Sequence, residues 1–425
     1  MLSNGDCFVL SPANNDVLLV HSGYWPGVAR LPAVLHAGGA RVTVIAPRGS
    51  DVLSTRYSAE SIAVPHGMTE IIDALRQHLR TRTYRLVILA DDPLLNALAD
   101  RSRTEPWIRK ILPLPDERSL DMLASKIAFL DRCRQSGLPI ARSEHVTDCN
   151  AAMRAAAGMS YPVMLKLPTG HGGVGVKRID SPAEMQCAFD AFARGKTITV
   201  ERFIAGKVVG CEVLFDHGRA VCWSAFVIVR SGAKFGASTV RMLFTHPQVR
   251  DIVERLGALT KLHGFGVLDF IYDEVRDQLV LLELNFRPGP GTHLSGRVRK
   301  MFASGFAAVL RGEKPPGVTH GLHGKTVVLF PQDVHRAITE RDPWSLIASA
   351  LQGRIFADIP FDDLPLLARH LGALAGRFIR PLERLFRRRG TERVGYINAE
   401  PARWRPIELD LADTADDVRE MAGVL

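Results

Sequence analysis

Apolar and polar residues along this chain fall into short strand-like runs separated by longer helix-like stretches. VLLVHSG, residues 17–23, reads as a buried strand that stops at Gly23. Residues 27–36 suit a helix, AGGA at 37–40 stops it, and RVTVIAP at 41–47 reads as the next strand. Residues 69–80 suit another helix, and YRLVILADD at 84–92 reads as a strand ending in two aspartates. Strands alternating with helices predict a small parallel α/β unit. Gly23 and Gly27 do not make a GxGxxG turn, which argues against a dinucleotide site there.

The pattern changes near Pro115. Residues 120–136 have amphipathic helical spacing and carry Lys126. VMLKLPTGHGGVGVKRI at 163–179 predicts a strand, a glycine-rich loop and a second strand. Residues 197–206 and 211–227 read as strands around tight turns, and 231–246 as an irregular basic stretch. A helix over 248–263 leads to GFGVLDFIYD and LVLLELNFRPGPG, with polar DEVRDQ between them as a hairpin turn. TVVLFP after Lys325 reads as a further strand, and DIPFDDLP at 358–365 as a loop. Residues 366–389 are helical in pattern. Leu367, Leu371, Leu374, Phe378, Leu382 and Leu385 form the expected apolar stripe, with Pro381 expected to kink or split the helix.

Composition adds bounds. The 425 residues allow two to four structural units, and 46% hydrophobic with 23% charged residues is ordinary for a globular chain. The net charge of +9 concentrates in arginines near residues 377–393, and no nucleic-acid-binding motif occurs, so no nucleic-acid partner is expected. The basic C-terminal helix admits contact with an anionic membrane, but packing of its apolar face on the protein is the preferred account. Six scattered cysteines form no CxxC pair and no zinc-like spacing, so free buried thiols in a reducing cytosol are expected. The first residues have neither the basic region nor the apolar core of a signal peptide, and no apolar run is long enough to span a bilayer. A cytoplasmic location is therefore expected.

The hairpin carries the densest chemistry. A turn centred near Arg276 sets Asp269 opposite Glu283. Strict alternation then puts Leu281, Glu283, Asn285 and Arg287 on one face and Val280, Leu282, Leu284 and Phe286 on the other. Two carboxylates and an amide oxygen are hard ligands that suit Mg2+, and the guanidinium suits a phosphate or carboxylate. A polar hairpin face turned to water is the plain alternative for any one of these residues. Gly170, Gly172, Gly173 and Gly175 let backbone N–H groups approach an anion, in a loop joining two strands rather than a Walker-type P-loop. Lys166 lies among apolar residues just before that loop, where an anion would offset the cost of burying it. Glu201, Phe203 and Ile204 close a strand at a position suited to an adenine edge and its apolar walls.

Lys126, Lys166 before a glycine-rich loop, ERFI at 201–204, Asp269, and Glu283 with Asn285 occur in an order that resembles the ATP-grasp superfamily, in particular its ATP-dependent carboxylate–amine ligases. The resemblance covers roughly residues 115–330. It implies a small parallel α/β domain over 1–114, preceding a two-subdomain ATP-grasp fold over 115–200 and 201–330, and a small C-terminal region over 331–425. It implies that Lys126 and Lys166 hold ATP phosphates under the 170–175 loop. Glu201, Phe203 and Ile204 would hold adenine, and Glu212 is the one candidate for ribose. Asp269, Glu283 and Asn285 would hold Mg2+, for which Mn2+ is a substitute, while Lys234, Arg241 and Arg287 would steady charge in transfer. The activity implied is joining a small-molecule carboxylate to an amine through an acyl phosphate, releasing ADP and phosphate. A bicarbonate-using enzyme of the carboxylase or carbamoyl-phosphate kind and a non-catalytic ATP-binding sensor or scaffold are the competing readings.

Overall fold

A computed structural model describes residues 14–23, 26–167, 175–192, 197–232, 237–313, 323–352 and 358–386. Gly170, Gly172, Gly173, Lys234 and most of the arginine-rich 377–393 stretch lie outside the described residues or their described side chains. The chain divides into one unit over Met1–Gly376 and a second over Arg377–Leu425.

Three sheets organise the first unit. The first contains β1 (Asp16–Val20), β2 (Arg41–Pro47), β3 (Glu60–Val64) and β4 (Leu86–Leu89), all parallel in the order β3-β2-β1-β4. The apolar runs of β1, β2 and β4 are buried, as strands between helices must be. The polar-apolar run of β3 is the strand that lacked a clear signal. The second sheet contains β5 (Ser143–Val146), β6 (Val163–Lys166), β7 (Val176–Ile179) and β8 (Ile198–Arg202), in the order β5-β8-β6-β7. Its core is its own: Val163, Leu165, Ile198 and Val200 pack on Ala152, Ala156 and Met185 of its helices. The third sheet contains β9 (Lys207–Asp216), β10 (Arg219–Ser231), β11 (Ser238–Phe244), β12 (Gly264–Asp273), β13 (Gln278–Asn285) and β14 (Thr326–Val328). Its order is β13-β12-β9-β10-β11-β14. Leu268, Phe270 and Leu281 of this sheet, with Phe286 just beyond it, share a core with Leu18 and Leu89 of the first sheet and Leu98 of the helix that follows β4.

Several expectations are corrected. The helix read over 120–136 is two helices, Asp121–Ala124 and Lys126–Gln135. Ser125 between them is extended, and its hydroxyl accepts from the Ala128 N–H, so the serine works as a cap. The 231–246 stretch contains β11, which pairs with β10 and β14. Its polar residues Ser238, Thr239 and Arg241 are buried, so its signal was charge where a strand was sought. The helix Leu364–Phe386 runs past Pro381 without a break, at the cost of one backbone hydrogen bond. Its buried stripe is Leu366, His370 and Leu374, with Leu371 51% exposed, because Arg369 turns to Asp51 at 3.0 Å. Of the cysteines, Cys133, Cys211 and Cys222 are buried free thiols, but Cys187 is exposed. Among the described residues, no helix is long and apolar enough to cross a membrane.

Candidate active site

The hairpin of β12 and β13 sets Asp269 opposite Glu283, with its turn at residues 274–277. The strict alternation expected along β13 does not hold. The register slips between Asp269↔Glu283 and Phe270↔Leu281, which leaves Leu282 as an extra residue. A bulge of this kind reverses which face the following side chains take. Leu279 and Leu281 before it, and Leu284 and Phe286 after it, therefore all enter the same core. Glu283 and Asn285 are released together to the opposite face. Leu281 is thus a core residue and does not share the face of Glu283, while Val280 and Leu282 are only partly buried. Just before the bulge the outer edge of β13 meets the 139–140 segment, where the Leu281 N–H donates to the Pro139 carbonyl at 2.7 Å.

Asn285 Nδ2 lies 3.4 Å from Asp269 Oδ2 and 3.2 Å from Glu283 Oε1. Turning that amide would offer its oxygen to the same point. Lys126 stands at the first turn of its helix and donates to Glu283 Oε2. Burial and the neighbouring Glu283 raise the Asp269 carboxyl well above its ordinary value. Burial acts on Glu283 in the same sense, but the Lys126 ammonium outweighs it and holds Glu283 low. Two adjacent carboxylates, of which Glu283 is paired with Lys126, form a cluster that a further cation would stabilise in its charged state. Three oxygen donors on one side fit Mg2+, which takes few protein ligands and keeps waters and phosphate oxygens.

Lys166, at the end of β6, donates to Glu201 Oε1 across the neighbouring strand β8 at 2.5 Å. Glu201 is buried, and Phe203 just beyond it packs under the Arg178 guanidinium, 4.4 Å from the ring centroid. Ile204 is half-buried beside it, and Gly175 leads into β7. Glu212 is on the third sheet's same face but fully enclosed. It accepts from the Gly289 N–H at 3.0 Å and faces Arg241 at 3.6 Å. A Cβ on Gly289 would sit 2.4 Å from its Oε1 and one on Gly291 2.2 Å from its Cγ, so the PGPG run is needed for the backbone to close over this carboxylate. Arg241 is likewise buried, between Glu212 and the Phe226 ring, and reaches Asp269 through its charge rather than by contact.

Arg287 does not stand alone at the strand end. Its Nε donates to Asp92 Oδ2 at 2.8 Å. Asp92 opens the helix Asp92–Arg101 after β4, and Asp91 caps that helix while binding Ser22 at the end of β1. The strand order reverses between β1 and β4, so this is the crevice where parallel sheets present ligand-binding residues. Asp92 went unassigned in the sequence, although two aspartates ending a buried strand were a usable signal. A cavity of about 80 Å3 lined by Asp92, Asn96, Ser125, Lys126, Glu283 and Asn285 joins the two regions. A larger one, about 530 Å3, lies between β10 and the helices Pro247–Thr260 and Gly296–Arg311 and touches none of these residues. Chemistry therefore outweighs cavity size in locating the site.

The parallel sheet followed by two further, largely antiparallel sheets is the architecture of ATP-grasp proteins. Residues 134–308, which run from the approach to β5 through the hairpin, match the family model described as D-ala D-ala ligase C-terminus. A D-alanine–D-alanine ligase of Methylocella silvestris is 29% identical over 237 residues, 48% of this chain and 74% of that protein. A urea amidolyase of Lachancea kluyveri is 28% identical over 188 residues, 41% of this chain. The matched segment spans about a tenth of that protein's length (10%). The fold is also that of N5-carboxyaminoimidazole synthetase from Staphylococcus aureus, with a TM-score of 0.58 at 12% identity, covering 79% of this chain and 88% of that one. The ATP-grasp likeness read from the residues is borne out by these matches.

Proposed function

We propose that the chain is an ATP- and Mg2+-dependent ligase that joins a small carboxylate to an amine. The observation that carries this reading is the convergence of Asp269, Glu283, Asn285 and Lys126 on one side of the bulged hairpin. Its similarity to D-alanine–D-alanine ligases, which over residues 134–308 takes in Asp269, Glu283 and Asn285, supports the reaction class. The division into 1–114, 115–330 and 331–425 is proposed with it.

Lys126 and Lys166 would bind phosphate oxygens, exchanging their present partners Glu283 and Glu201 for them. Asp269, Glu283 and Asn285 would hold Mg2+, and Mn2+ could replace it. Bound there, the ion would neutralise charge on the phosphates during transfer. Glu201, Phe203 and Ile204 would border the adenine, with Gly170, Gly172, Gly173 and Gly175 over the phosphates. Arg287, steadied by Asp92, would orient the substrate carboxylate, and Lys234 and Arg241 would add positive charge. A carboxylate oxygen attacks the γ-phosphorus of ATP, the bond to the β-phosphate oxygen breaks, and ADP leaves. The amine nitrogen then attacks the acyl carbon, inorganic phosphate departs, and the amine gives up a proton.

The test is product analysis with candidate carboxylates. ADP as the nucleotide product, and a hydroxamate when hydroxylamine replaces the amine, are the expected outcomes. AMP with pyrophosphate would overturn the acyl phosphate. ADP release that needs bicarbonate but no amine would replace the ligase with a carboxylase-type reaction, and nucleotide binding without turnover would leave a sensor.

A further inference from the structure

A second group of metal-type ligands lies at the tight turn between β9 and β10, apart from the hairpin carboxylates. His217 and Gly218 make that turn with φ of 48° and 83°. Glycine adopts this left-handed backbone most readily, and histidine is among the few other residues enriched there. The His217 ring stacks on that of His263, with centroids 4.0 Å apart and planes 6° from parallel. Asp216, the last residue of β9, completes the group. Its Oδ1 is 3.5 Å from His263 Nδ1, while Arg219 Nη2 holds the other oxygen, Oδ2, at 2.8 Å. One ligand atom from each of the three residues lies within 4.8 Å of the others.

The frame around these side chains is fixed by backbone contacts. The Gly218 N–H donates to the Leu262 carbonyl at 2.7 Å, and the His263 N–H donates to the Pro113 carbonyl at 2.9 Å. A Cβ on Gly218 would sit 2.5 Å from the Gly257 carbonyl oxygen. The His217 N–H donates to His263 Nδ1 at 3.4 Å, which places the ring's lone pair on Nδ1, on the side facing Asp216.

We propose that Asp216, His217 and His263 bind a divalent transition ion, with Zn2+ as the chemistry that fits. Two imidazole nitrogens and a carboxylate oxygen, with one position left for water, match the donors zinc prefers, whereas Mg2+ prefers oxygen alone. His217 is exposed and swings from the stack to converge with His263. The ion would tie the β9–β10 turn to the start of β12 and, through His263, to the segment at Pro113. The nearby charges of Arg219 and Arg85 weaken the site relative to a closed structural zinc centre.

The full chain, with thiols alkylated, stripped with EDTA and held in excess Mg2+, is titrated calorimetrically with Zn2+. One Zn2+ per chain is expected, with affinity at least roughly tenfold weaker in His217→Asn and in His263→Gln. Asparagine suits the turn, and melting in EDTA shows whether the His217→Asn fold is kept. With Cu2+ as a spectroscopic probe, paramagnetic resonance should show coupling to two nitrogens, reduced to one in His217→Asn. No Zn2+ uptake, affinity unchanged from the parent chain in both variants, or two-nitrogen coupling that survives His217→Asn would overturn the proposal.

Discussion

Two aspartates of the first unit, Asp269 and Asp358, sit in opposite surroundings. Asp358 follows the 353–357 stretch and is fully buried. His293 Nε2 lies 2.9 Å from its Oδ1, the Phe330 N–H donates to its Oδ2 at 2.8 Å, and Arg30 binds its carbonyl oxygen at 2.5 Å. Burial would raise this carboxyl, but His293 and Arg30 outweigh it and hold it below its ordinary value. Asp269 faces another carboxylate, and both burial and that neighbour raise it. One aspartate is already satisfied by the fold and pins the start of the C-terminal segment. The other is held in a costly state that an added cation relieves. Unrelieved cost of this kind marks a functional site better than burial alone.

The largest effect that separates the two is on stability. Asp358→Ala takes the buried carboxylate away from His293, the Phe330 N–H and the nearby Arg30 guanidinium and should cost roughly 3–5 kcal/mol, read as a lowered denaturant midpoint. Asp269→Asn removes a like-charge repulsion and should leave that midpoint unchanged or higher. If both substitutions destabilise equally, the contrast fails.

Turnover should respond in the reverse sense. Asp269→Asn or Glu283→Gln should lower kcat by roughly 10²–10³, as loss of one aimed charge-stabilising group does. Added Mg2+ should raise the melting temperature of the parent chain but not of either variant. Lys166→Ala comes next, with an apparent KM for ATP raised roughly 10- to 100-fold through loss of one charged hydrogen bond.

Acid should act through the Asp358 cluster. Burial holds His293 below 6.5, so its share of stability is present above pH 6.5 and lost as the pH falls through its depressed value. Asp358 adds a further loss below pH 3.8, as its own depressed value is crossed. Thermal melts between pH 7 and 3 should show this decline, with a flatter slope in His293→Gln. The smallest expectation concerns the C-terminal helix. Its stripe of Leu366, His370 and Leu374 is already buried, so co-sedimentation with anionic vesicles at low salt should be at background.

Much of this was legible in the residues. The runs 17–23, 41–47 and 84–92 appear as β1, β2 and β4, because strands buried on both faces must be continuously apolar. The turn at 274–277 and the Asp269↔Glu283 register followed from turn chemistry and spacing alone. The strand end bearing Glu201 and the lysine of β6 were equally visible. Less legible were β3 and β11, whose polar residues break the apolar run by which the buried strands are recognised.

The sequence by itself determined which side chains could serve as metal and phosphate ligands, in what order, and on which strands and helices most of them sit. These follow from local periodicity, turn preference and ligand hardness, all short-range properties. Only the tertiary structure decided that Leu282 bulges, so that Leu281 and Leu284 enter one core while Glu283 and Asn285 face out together. It alone brought Lys126 to Glu283 and Asp92 to Arg287, contacts spanning 157 and 195 residues. A bulge and a long-range ion pair leave no periodic trace, because each is set by how whole sheets and helices pack rather than by what stands next in the chain.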